Sequence, residues 1–371
     1  MKIAPYIARL VDHRQVGTLA RAVLARPWRP GSARRIAVIH EPGRIAFSQI
    51  YPFILHAADL ERAHDVQLRF FSANALDGLD FSSFDEVLLQ LWYTRDPAEF
   101  DQVFEKAARG SAQITAFLDS FAHNDLRFAS LLNGQIRYYL KKSLFRDLGQ
   151  YGQTTLGHTN LTDYYSRAYG IEDEQVRWDI PDGFLDTLRL SPNFFTAPHL
   201  YRLFLDQDID ALLAGPRETD VHSRLGAKGT PWYTAMREHA MAAVADLRGV
   251  SVISEGKVGL KQFNAELQTS KMCFSPFGFG ELCWRDIEAI AFGAVLLKPS
   301  MDHLRTLPEL YEPDVTYVPL AWDFSDLAEK VAWVKDNPEA ASTIARTAFD
   351  RVRSYLQTRQ FVRDMGYLFA E

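Results

Sequence analysis

The sequence predicts an α/β protein in which two parallel-sheet domains face a central cleft. Runs of buried-strand residues alternate with helical patterns, the alternation stops near the middle of the chain, and it then starts again. Alternation of this kind is typical of a parallel sheet with helices on both faces. Because the chain has 371 residues, it is long enough for two such domains of ordinary size. Each domain is therefore expected to be Rossmann-like.

The first domain is expected over residues 36–195. Its strands and helices follow one another in the segments ARRIAVIH, SQIYPFILHAADLERA, DVQLRFFSA, FDEVLLQLW, DPAEFDQVFEKAA and AQITAFLD. The last of these strands ends in a polar turn, SFAHND. Residues 178–196 contain two prolines and no clear helical pattern, so we interpret them as the connection between the domains.

The second domain is expected over residues 196–345, followed by a C-terminal helical region at 346–371. We expect it to begin with the strand DIDALLAG. Further strands and helices are predicted in WYTAMREHAMAAVADL, VSVIS, GLKQFNAELQTS, KMCFSPF, ELCWRDIEAIAFG, AVLLKP, TYVPL and DFSDLAEKVAWVKDN.

Charge is unevenly distributed along the chain. The net charge is −6, but residues 1–35 contain eight basic residues and one acidic residue, a net +7 that leaves −13 for the rest. This basic arm is interpreted either as an amphipathic helix lying on an anionic membrane or, preferably, as a helix packed on the protein itself. Nucleic acid is not an expected partner, because the body is acidic and carries no recognition motif.

Cysteine usage and hydropathy favour a cytoplasmic protein. Cys273 and Cys283 do not form a CxxC pair, and no Cys/His cluster has the spacing of a zinc site. We expect both to be buried thiols in a reducing compartment. Charged residues interrupt the first 25 positions, which are not typical of a signal peptide, and no apolar run is long enough to span a bilayer.

One stretch of the second domain, SPFGFGELCWRDIEAIAFGAVLLKP, combines a glycine-rich turn with a charged helix. Gly278 and Gly280 follow a strand, and a turn of this kind presents bare N–H groups and a helix N-terminus to a phosphate. Glu288, two helical turns further on, can accept hydrogen bonds from vicinal hydroxyls such as those of a ribose. Arg285 lies closer to the glycines and can reach a diphosphate.

The same helix has a plainer interpretation. Glu281, Arg285 and Glu288 are spaced i, i+4 and i+7, so they could form a solvated polar face with ordinary ion pairs. Neither the dinucleotide fingerprint GxGxxG nor a Walker motif is present.

FGFGELCWRDIEAIAFGAVLL resembles the nucleotide-sugar signature of glycosyltransferases with the GT-B fold, both those of group 1 and the exostosin-like ones. The run from Glu288 to Gly293 matches their Glu-Ala-x-Ala-x-Gly helix, and a weaker resemblance extends over residues 208–356. It implies a GT-B fold with a nucleotide-sugar donor on the second domain. In the first half, only the alternation of strands and helices is similar.

The resemblance also implies roles for individual residues. In AGPRETDVHSRLGAKG, Arg217 and Lys228 match the positions at which relatives hold the donor diphosphate; solvated loop charges are the alternative. The best-known retaining families have a glutamate before the turn, whereas here Glu281 follows it. Glu281 is a candidate catalytic acid, and the stereochemistry of transfer stays open.

A glycosyl transfer also needs a group that acts on the acceptor hydroxyl, and the resemblance implies that the first domain provides it. Asp119, at the end of strand AQITAFLD, is the first candidate base; its alternative is a turn residue. His123 in the following turn is the second, because imidazole titrates near neutrality.

The expected function is that of a metal-independent glycosyltransferase without a cofactor, cytoplasmic or peripheral at the inner face of the membrane. It would move a sugar from a nucleotide-activated donor to a glycan or glycolipid acceptor in cell-surface polysaccharide biosynthesis. A sugar-nucleotide epimerase on the same fold and a non-catalytic nucleotide-sugar binding protein are the alternatives. The nucleotide, the sugar and the acceptor are open.

Overall fold

A computed structural model of the chain describes residues 27–28, 34–192 and 197–370. Two parallel sheets dominate it. The first has six strands in the order β2-β1-β3-β4-β5-β9, and the second has five in the order β11-β10-β12-β13-β15. The strands are β1 Arg34–His40, β2 Val66–Ser72, β3 Glu86–Leu89, β4 Gln113–Leu118, β5 Tyr138–Lys141, β6 Ser143–Phe145, β7 Thr155–Leu156, β8 Gln175–Val176, β9 Leu188–Leu190, β10 Thr219–His222, β11 Val252–Ile253, β12 Ser270–Phe274, β13 Val295–Pro299, β14 Leu304–Thr306 and β15 Val318–Leu320.

Helices pack against both sheets. They are α1 Arg44–Leu55, α2 Ala57–His64, α3 Pro97–Gly110, α4 Ala129–Leu132, α5 Asn160–Ala168, α6 Pro198–Asp206, α7 Ile209–Ala214, α8 Pro231–Ala245, α9 Leu260–Gln268, α10 Trp284–Ala291, α11 Leu327–Asp336, α12 Pro338–Gln357 and α13 Gln360–Asp364.

The predicted fold class is confirmed, because each half forms its own parallel sheet. Every neighbouring pair within the two sheets runs parallel. The central strand β1 shows why the sequence pattern was informative: residues 36–39 are all fully buried, as expected for a strand covered by helices on both faces.

The second domain does not begin with a strand at DIDALLAG, as the sequence predicted. This segment is helix α7, and the Asp208 carboxylate accepts the N–H groups of Asp210 and Ala211 as its N-cap. Ile209 and Leu212 are buried at i, i+3 spacing, which is a helical period that the short apolar run concealed. The first strand of this domain is β10.

The C-terminal residues connect the two domains. Helix α12 crosses the predicted boundary at 345/346 and packs on β13 and α6 of the second domain. The chain then returns to the first domain, where the ring of Phe361 lies 4.9 Å from that of Phe53 and Arg359 pairs with Asp59 at 3.0 Å. Most of the basic arm, residues 1–35, lies outside the described residues.

A short antiparallel ladder joins the two domains directly. Strand β6 directly follows the first-domain strand β5, and β14 lies between second-domain strands β13 and β15; the two pair in the register Leu304 with Phe145 and Thr306 with Ser143. The Arg146 N–H extends the contact by donating to the His303 carbonyl oxygen at 2.9 Å. Backbone hydrogen bonds therefore hold the domains together beside the cleft.

Candidate active site

The glycine-rich turn is a loop, residues 275–283, between β12 and α10. Helix α10 begins at Trp284, and its N-terminus is fixed by a capping box in which the Asp286 carboxylate accepts the N–H of Cys283 at 3.1 Å. Glu281 therefore precedes the helix, and the predicted polar face of Glu281, Arg285 and Glu288 is wrong. Only Arg285 and Glu288 share that helix.

The side chain of Asp286 stabilises the turn through hydrogen bonds. The sequence analysis did not identify this residue. Its fully buried carboxylate accepts hydrogen bonds from the Ser275 hydroxyl at 2.6 Å and the Tyr311 hydroxyl at 2.7 Å, and it pairs with Lys298 at 3.0 Å. An acid at the third position of a helix is a capping signal, but its three side-chain partners are distant in sequence. These bonds hold the turn in one conformation.

The turn lies directly against the first domain. A Cβ atom placed on Gly280 would be 1.9 Å from the carbonyl oxygen of Ala122, in the loop after β4. At Gly278 the tightest contact would be a milder 3.3 Å to the Cys283 sulfur. Gly280 is thus required because two backbones approach each other there. The structure brings together the two segments that the sequence assigned to donor and acceptor.

A cavity of about 570 Å³ opens beside this contact. Both domains line it, the first through Tyr93, Phe121 and His123 and the second through Trp232 and Phe279. Its size is in the ordinary range of small-molecule sites.

Asp119 does not line this cavity, and the prediction that it acts as the base is corrected here. It is only 4% exposed, and its Oδ2 atom accepts hydrogen bonds from Lys141 at 2.6 Å and Tyr139 at 2.8 Å. Its Oδ1 atom accepts the N–H of Phe121 at 2.9 Å. Because the carboxylate bonds to three groups of its own domain, we interpret Asp119 as a positioning residue for the loop that carries His123.

His123 does line the cavity, in a neutral form. Its Nδ1 atom lies 3.3 Å from an Arg127 nitrogen, which can only donate, so the ring proton is on Nε2. Burial, together with the charge of Arg127, lowers the pKa of His123 to about 3. A group of this pKa is a weak base at neutral pH, so His123 is suited to donate a hydrogen bond rather than to take a proton.

Glu281 is buried at the domain interface, with no exposed surface. Within the described part of the chain neither carboxylate oxygen has a hydrogen-bond partner, and the nearest ionisable group is the His303 imidazole at 3.8 Å. Burial by itself would raise the pKa of Glu281, but His303 and Lys142 lower it below its ordinary value. The side chain is therefore held as an anion behind the turn, and it does not line the cavity.

Glu288 lies close to Arg285 on its own helix and to Arg44 at the start of α1 in the first domain. Burial raises the pKa of Glu288, while the charges of Arg285 and Arg44 act in the opposite direction. Arg44 lies with its guanidinium 5.0 Å from the centre of the Trp284 ring, and Arg285 donates to the carbonyl oxygen of Arg224. Glu288 is thus a half-buried carboxylate between two cations at the cleft.

Arg217 is not a donor-binding residue, and that prediction is wrong. It precedes β10, and its guanidinium donates to the carbonyl oxygens of Ser270, Leu212 and Phe292. Ser270 begins β12 and Phe292 precedes β13, so Arg217 lies at the amino edge of the sheet, opposite the glycine turn. Because the sequence placed the first strand too early, it assigned Arg217 to the wrong edge.

The cations at the correct edge follow β10. Arg224, which the sequence analysis overlooked, is held by Glu266 at 2.6 and 2.8 Å and donates to the Gly256 carbonyl oxygen at 3.1 Å. Lys228 is exposed in the same connection, between β10 and α8. Its predicted contact with the diphosphate stays a prediction.

Both cysteines are free; Cys273 is buried in β12, and Cys283 is half-buried at the start of α10. Among residues 34–192 and 197–370, no group of three or more His, Cys, Asp or Glu side chains is arranged to hold a metal ion. Across the same residues, no helix is both long enough and apolar enough to span a membrane.

Comparison with known proteins identifies the second domain. Residues 205–365 match the family model described as glycosyl transferase-like, whereas no curated protein matches the chain. Residues 205–365 therefore carry a glycosyl transferase-like domain. The match confirms the resemblance found in the turn and the prediction that the protein is a glycosyltransferase.

Solved structures that resemble the chain share little sequence with it. An alpha-glucosyltransferase in complex with UDP is 9% identical with a TM-score of 0.46, covering 90% of this chain and 100% of that chain. A glycosyltransferase from Rickettsia africae ESF-5 is 10% identical with a TM-score of 0.49, covering 91% and 98%. The sucrose-phosphate synthase from Thermosynechococcus elongatus is 14% identical with a TM-score of 0.45. The match covers 91% of this chain and 98% of that chain.

Proposed function

We propose that the protein transfers a sugar from a nucleotide-activated donor, bound at the carboxyl edge of the second sheet, to a glycan or glycolipid acceptor held in the cavity. The observation that carries this proposal is the contact between Gly280 and Ala122. It seats the donor-side turn on the acceptor-side loop, and residues from both line one cavity. A sugar at that point would meet groups of both domains.

The donor is proposed to lie along the turn and α10. In this proposal Glu288 accepts hydrogen bonds from the ribose hydroxyls, and Arg285 compensates the charge that develops on the leaving diphosphate. Peptide N–H groups of the 275–283 loop would add neutral donors to the same phosphates. The donor side is therefore cationic, as an anionic leaving group requires.

His123 is proposed to orient the reacting sugars. Because its Nδ1 accepts from Arg127, its Nε2–H group can donate to a sugar oxygen without a change of protonation state. Asp119 would position His123 for this role, because its carboxylate accepts hydrogen bonds from Lys141 and from the backbone of the loop that carries His123. Lys141 in turn donates to the His123 carbonyl oxygen at 3.2 Å.

The test is nucleotide binding and donor turnover with Glu288→Gln. A thermal-shift screen with UDP, GDP, CMP, dTDP and ADP and their sugars first identifies the nucleotide. We expect Glu288→Gln to weaken that nucleotide about tenfold, the effect of one charge-assisted hydrogen bond, in isothermal titration. Glu329→Gln, on the exposed surface of α11, is the control. An unchanged affinity would remove Glu288 from the donor site.

Donor turnover then distinguishes transfer from related activities. We expect sugar release to depend on an added acceptor; conversion of the donor without one would indicate an epimerase, and binding without turnover a non-catalytic protein. Activity is proposed to need no metal and to persist in EDTA. Loss of activity in EDTA and its recovery with manganese or magnesium would contradict this.

A cytoplasmic location and a role in cell-surface polysaccharide synthesis are part of the proposal. The basic residues 1–35 would provide a peripheral contact with anionic lipid. A variant lacking residues 1–32 is expected to keep donor turnover and to lose flotation with anionic liposomes. Equal flotation of both proteins would contradict the membrane contact.

A further inference from the structure

We propose that the cavity binds uncharged sugar rings of the acceptor against two aromatic platforms, Tyr93 and Phe279, and that acidic residues on its rim select against anionic acceptors. This inference rests on the proposed function, because it names the class of acceptor for the same site. It concerns side chains to which the proposed donor site assigns no role.

The two platforms are exposed aromatic rings, one from each domain. Tyr93 is 38% exposed and Phe279 is 41% exposed, and both line the cavity. Each ring is backed on one side: Phe121 lies 3.9 Å from Tyr93 between ring centres, and Tyr233 lies 4.5 Å from Phe279 with the planes nearly parallel. Such a neighbour fixes the orientation of the ring, and the exposed part of the ring is open to a ligand.

Exposed aromatic surface is unfavourable in water, so a ligand that covers it gains binding free energy. A pyranose ring has an apolar C–H face and a hydroxyl edge. Its face can lie on Tyr93 or Phe279, while the polar groups that line the same cavity, including His123, His158 and Thr230, are available to its hydroxyls. An acyl chain would leave these polar groups without partners, which carries a cost.

The charges around the cavity argue against an anionic acceptor. Among the described residues that line it, the formally charged side chains are Arg127, Glu172 and Asp173. Arg127 is neutralised by the buried Asp125, to which its Nε atom donates at 2.9 Å. His123 is uncharged at neutral pH. Glu172 and Asp173, both exposed, therefore leave the rim with a net charge of about −2, which repels phosphate and carboxylate groups.

This sign is opposite to that of the donor side. Arg285 and Lys228 belong to the second domain and do not line the cavity. The acidic pair, Glu172 and Asp173, belongs to the first domain and lies in the segment between β7 and β8. A nucleotide diphosphate is thus favoured on one side of the cleft and disfavoured on the other. The separation of charge would keep donor and acceptor from exchanging places.

The experiment uses a printed array of neutral oligosaccharides of two to four hexoses, together with their uronate and phosphorylated counterparts. Fluorescently labelled full-length protein is applied with and without UDP. We expect binding to neutral members, reduced about tenfold in Tyr93→Ala and in Phe279→Ala, since each substitution removes the apolar surface that the sugar face would cover. Tyr93→Phe and Phe279→Tyr should retain binding.

Matched control variants distinguish the binding of glycan to these two rings from a general effect of removing an exposed aromatic side chain. Trp333→Ala removes a similarly exposed ring, 36% exposed, that does not line the cavity, and it should leave binding unchanged. The double variant Glu172→Gln, Asp173→Asn should raise binding to anionic glycans several-fold relative to neutral ones. An unchanged ratio would overturn the selection by charge.

Other outcomes would overturn the proposal that Tyr93 and Phe279 bind uncharged sugar rings of the acceptor. Preference of the native protein for anionic glycans, or absence of glycan binding while a nucleotide still binds, would contradict the acceptor class and leave the proposed function intact. Loss of nucleotide affinity in Phe279→Ala would assign this ring to the base instead. Absence of both nucleotide binding and donor turnover would defeat the proposed function itself.

Discussion

Each domain contributes one buried carboxylate near the domain interface, and their surroundings differ. Asp119 in the first domain accepts hydrogen bonds from Tyr139, Lys141 and a backbone N–H. Glu281 in the second domain accepts none from the described residues, and its pKa is lowered by the nearby His303 and Lys142 side chains. The sequence suggested a catalytic role for Asp119 because it ends a strand, and for Glu281 because it follows the glycine turn that resembles the donor signature.

The difference shows that location at a strand end is not sufficient to identify a catalytic acid. A carboxylate with all its hydrogen bonds made contributes to stability, and removing it leaves its partners unpaired. A buried carboxylate without hydrogen bonds costs stability, so we expect Glu281 to have a role other than stability. Asp119 and Glu281 should therefore respond to substitution in opposite ways.

The largest effect is expected from Asp119→Ala. It leaves the Lys141 ammonium buried without its carboxylate, which should lower the free energy of unfolding by about 3–5 kcal/mol. Urea denaturation measures the loss. Asp208→Ala, which removes a helix N-cap, is the control and should cost about 1 kcal/mol. An Asp119 variant of native stability without turnover would return this residue to the catalytic group.

A smaller effect is expected from Gly280→Ala, which tests the contact between the two regions. The new methyl group would lie 1.9 Å from the Ala122 carbonyl oxygen, so the backbones must separate at an expected cost of about 1–3 kcal/mol. Donor turnover should fall with it. In Gly278→Ala the tightest contact would be 3.3 Å to the Cys283 sulfur, so its effect should be milder. Equal behaviour of the two variants would show that the contact opens freely.

The third prediction concerns pH. The pKa of His123 is about 3 in the folded protein and about 6.5 in the unfolded chain, so the unfolded chain binds the extra proton. Stability contributed by the neutral imidazole is complete above pH 6.5 and is lost progressively as the pH falls towards 3. At pH 5.5 the loss from this one group should be about 1 kcal/mol.

Denaturation of the native protein and of His123→Asn at pH 7.5 and 5.5 measures this contribution. His199 and His222, each with a pKa lowered to about 4 by burial, titrate in the same window in both proteins and cancel in the comparison. If both proteins lose the same stability on acidification, His123 is not the buried neutral group described here.

The smallest effect on stability is expected from Glu281→Gln. The change removes a charge but no hydrogen bond, so the free energy of unfolding should change by less than about 1 kcal/mol. Turnover should nevertheless fall by about tenfold or more, because the charge behind the glycine turn is lost. A large loss of stability with normal turnover would place Glu281 in the same structural category as Asp119.

The sequence predicted the features that depend on local pattern. The two series of strands and helices were found because runs such as residues 36–39 are continuously apolar, and the turn was found because Gly278, Gly280 and Glu288 lie within eleven residues. The error at Arg217 followed from a short segment, 209–214, whose apolar residues fit a strand as well as a helix.

Features that depend on distant partners could not be predicted in this way. The bonds that satisfy Asp119 come from Tyr139 and Lys141 on the neighbouring strand, and strand order is not visible in a single sequence. Burial of Glu281 depends on the closeness of the two domains. The cavity, for the same reason, combines rings such as Tyr93 and Phe279 that are far apart along the chain.

The ladder between β6 and β14 has a consequence for chimeric enzymes. Glycosyltransferases of two domains invite the exchange of a donor domain to change the sugar that is transferred. Here such an exchange would remove β14 and leave Ser143–Phe145 as an unpaired edge strand inside the molecule. A chimera that retains residues 304–306, the partner strand of β6, should fold as one unit. A chimera in which the new domain is joined only through the connecting segment should aggregate.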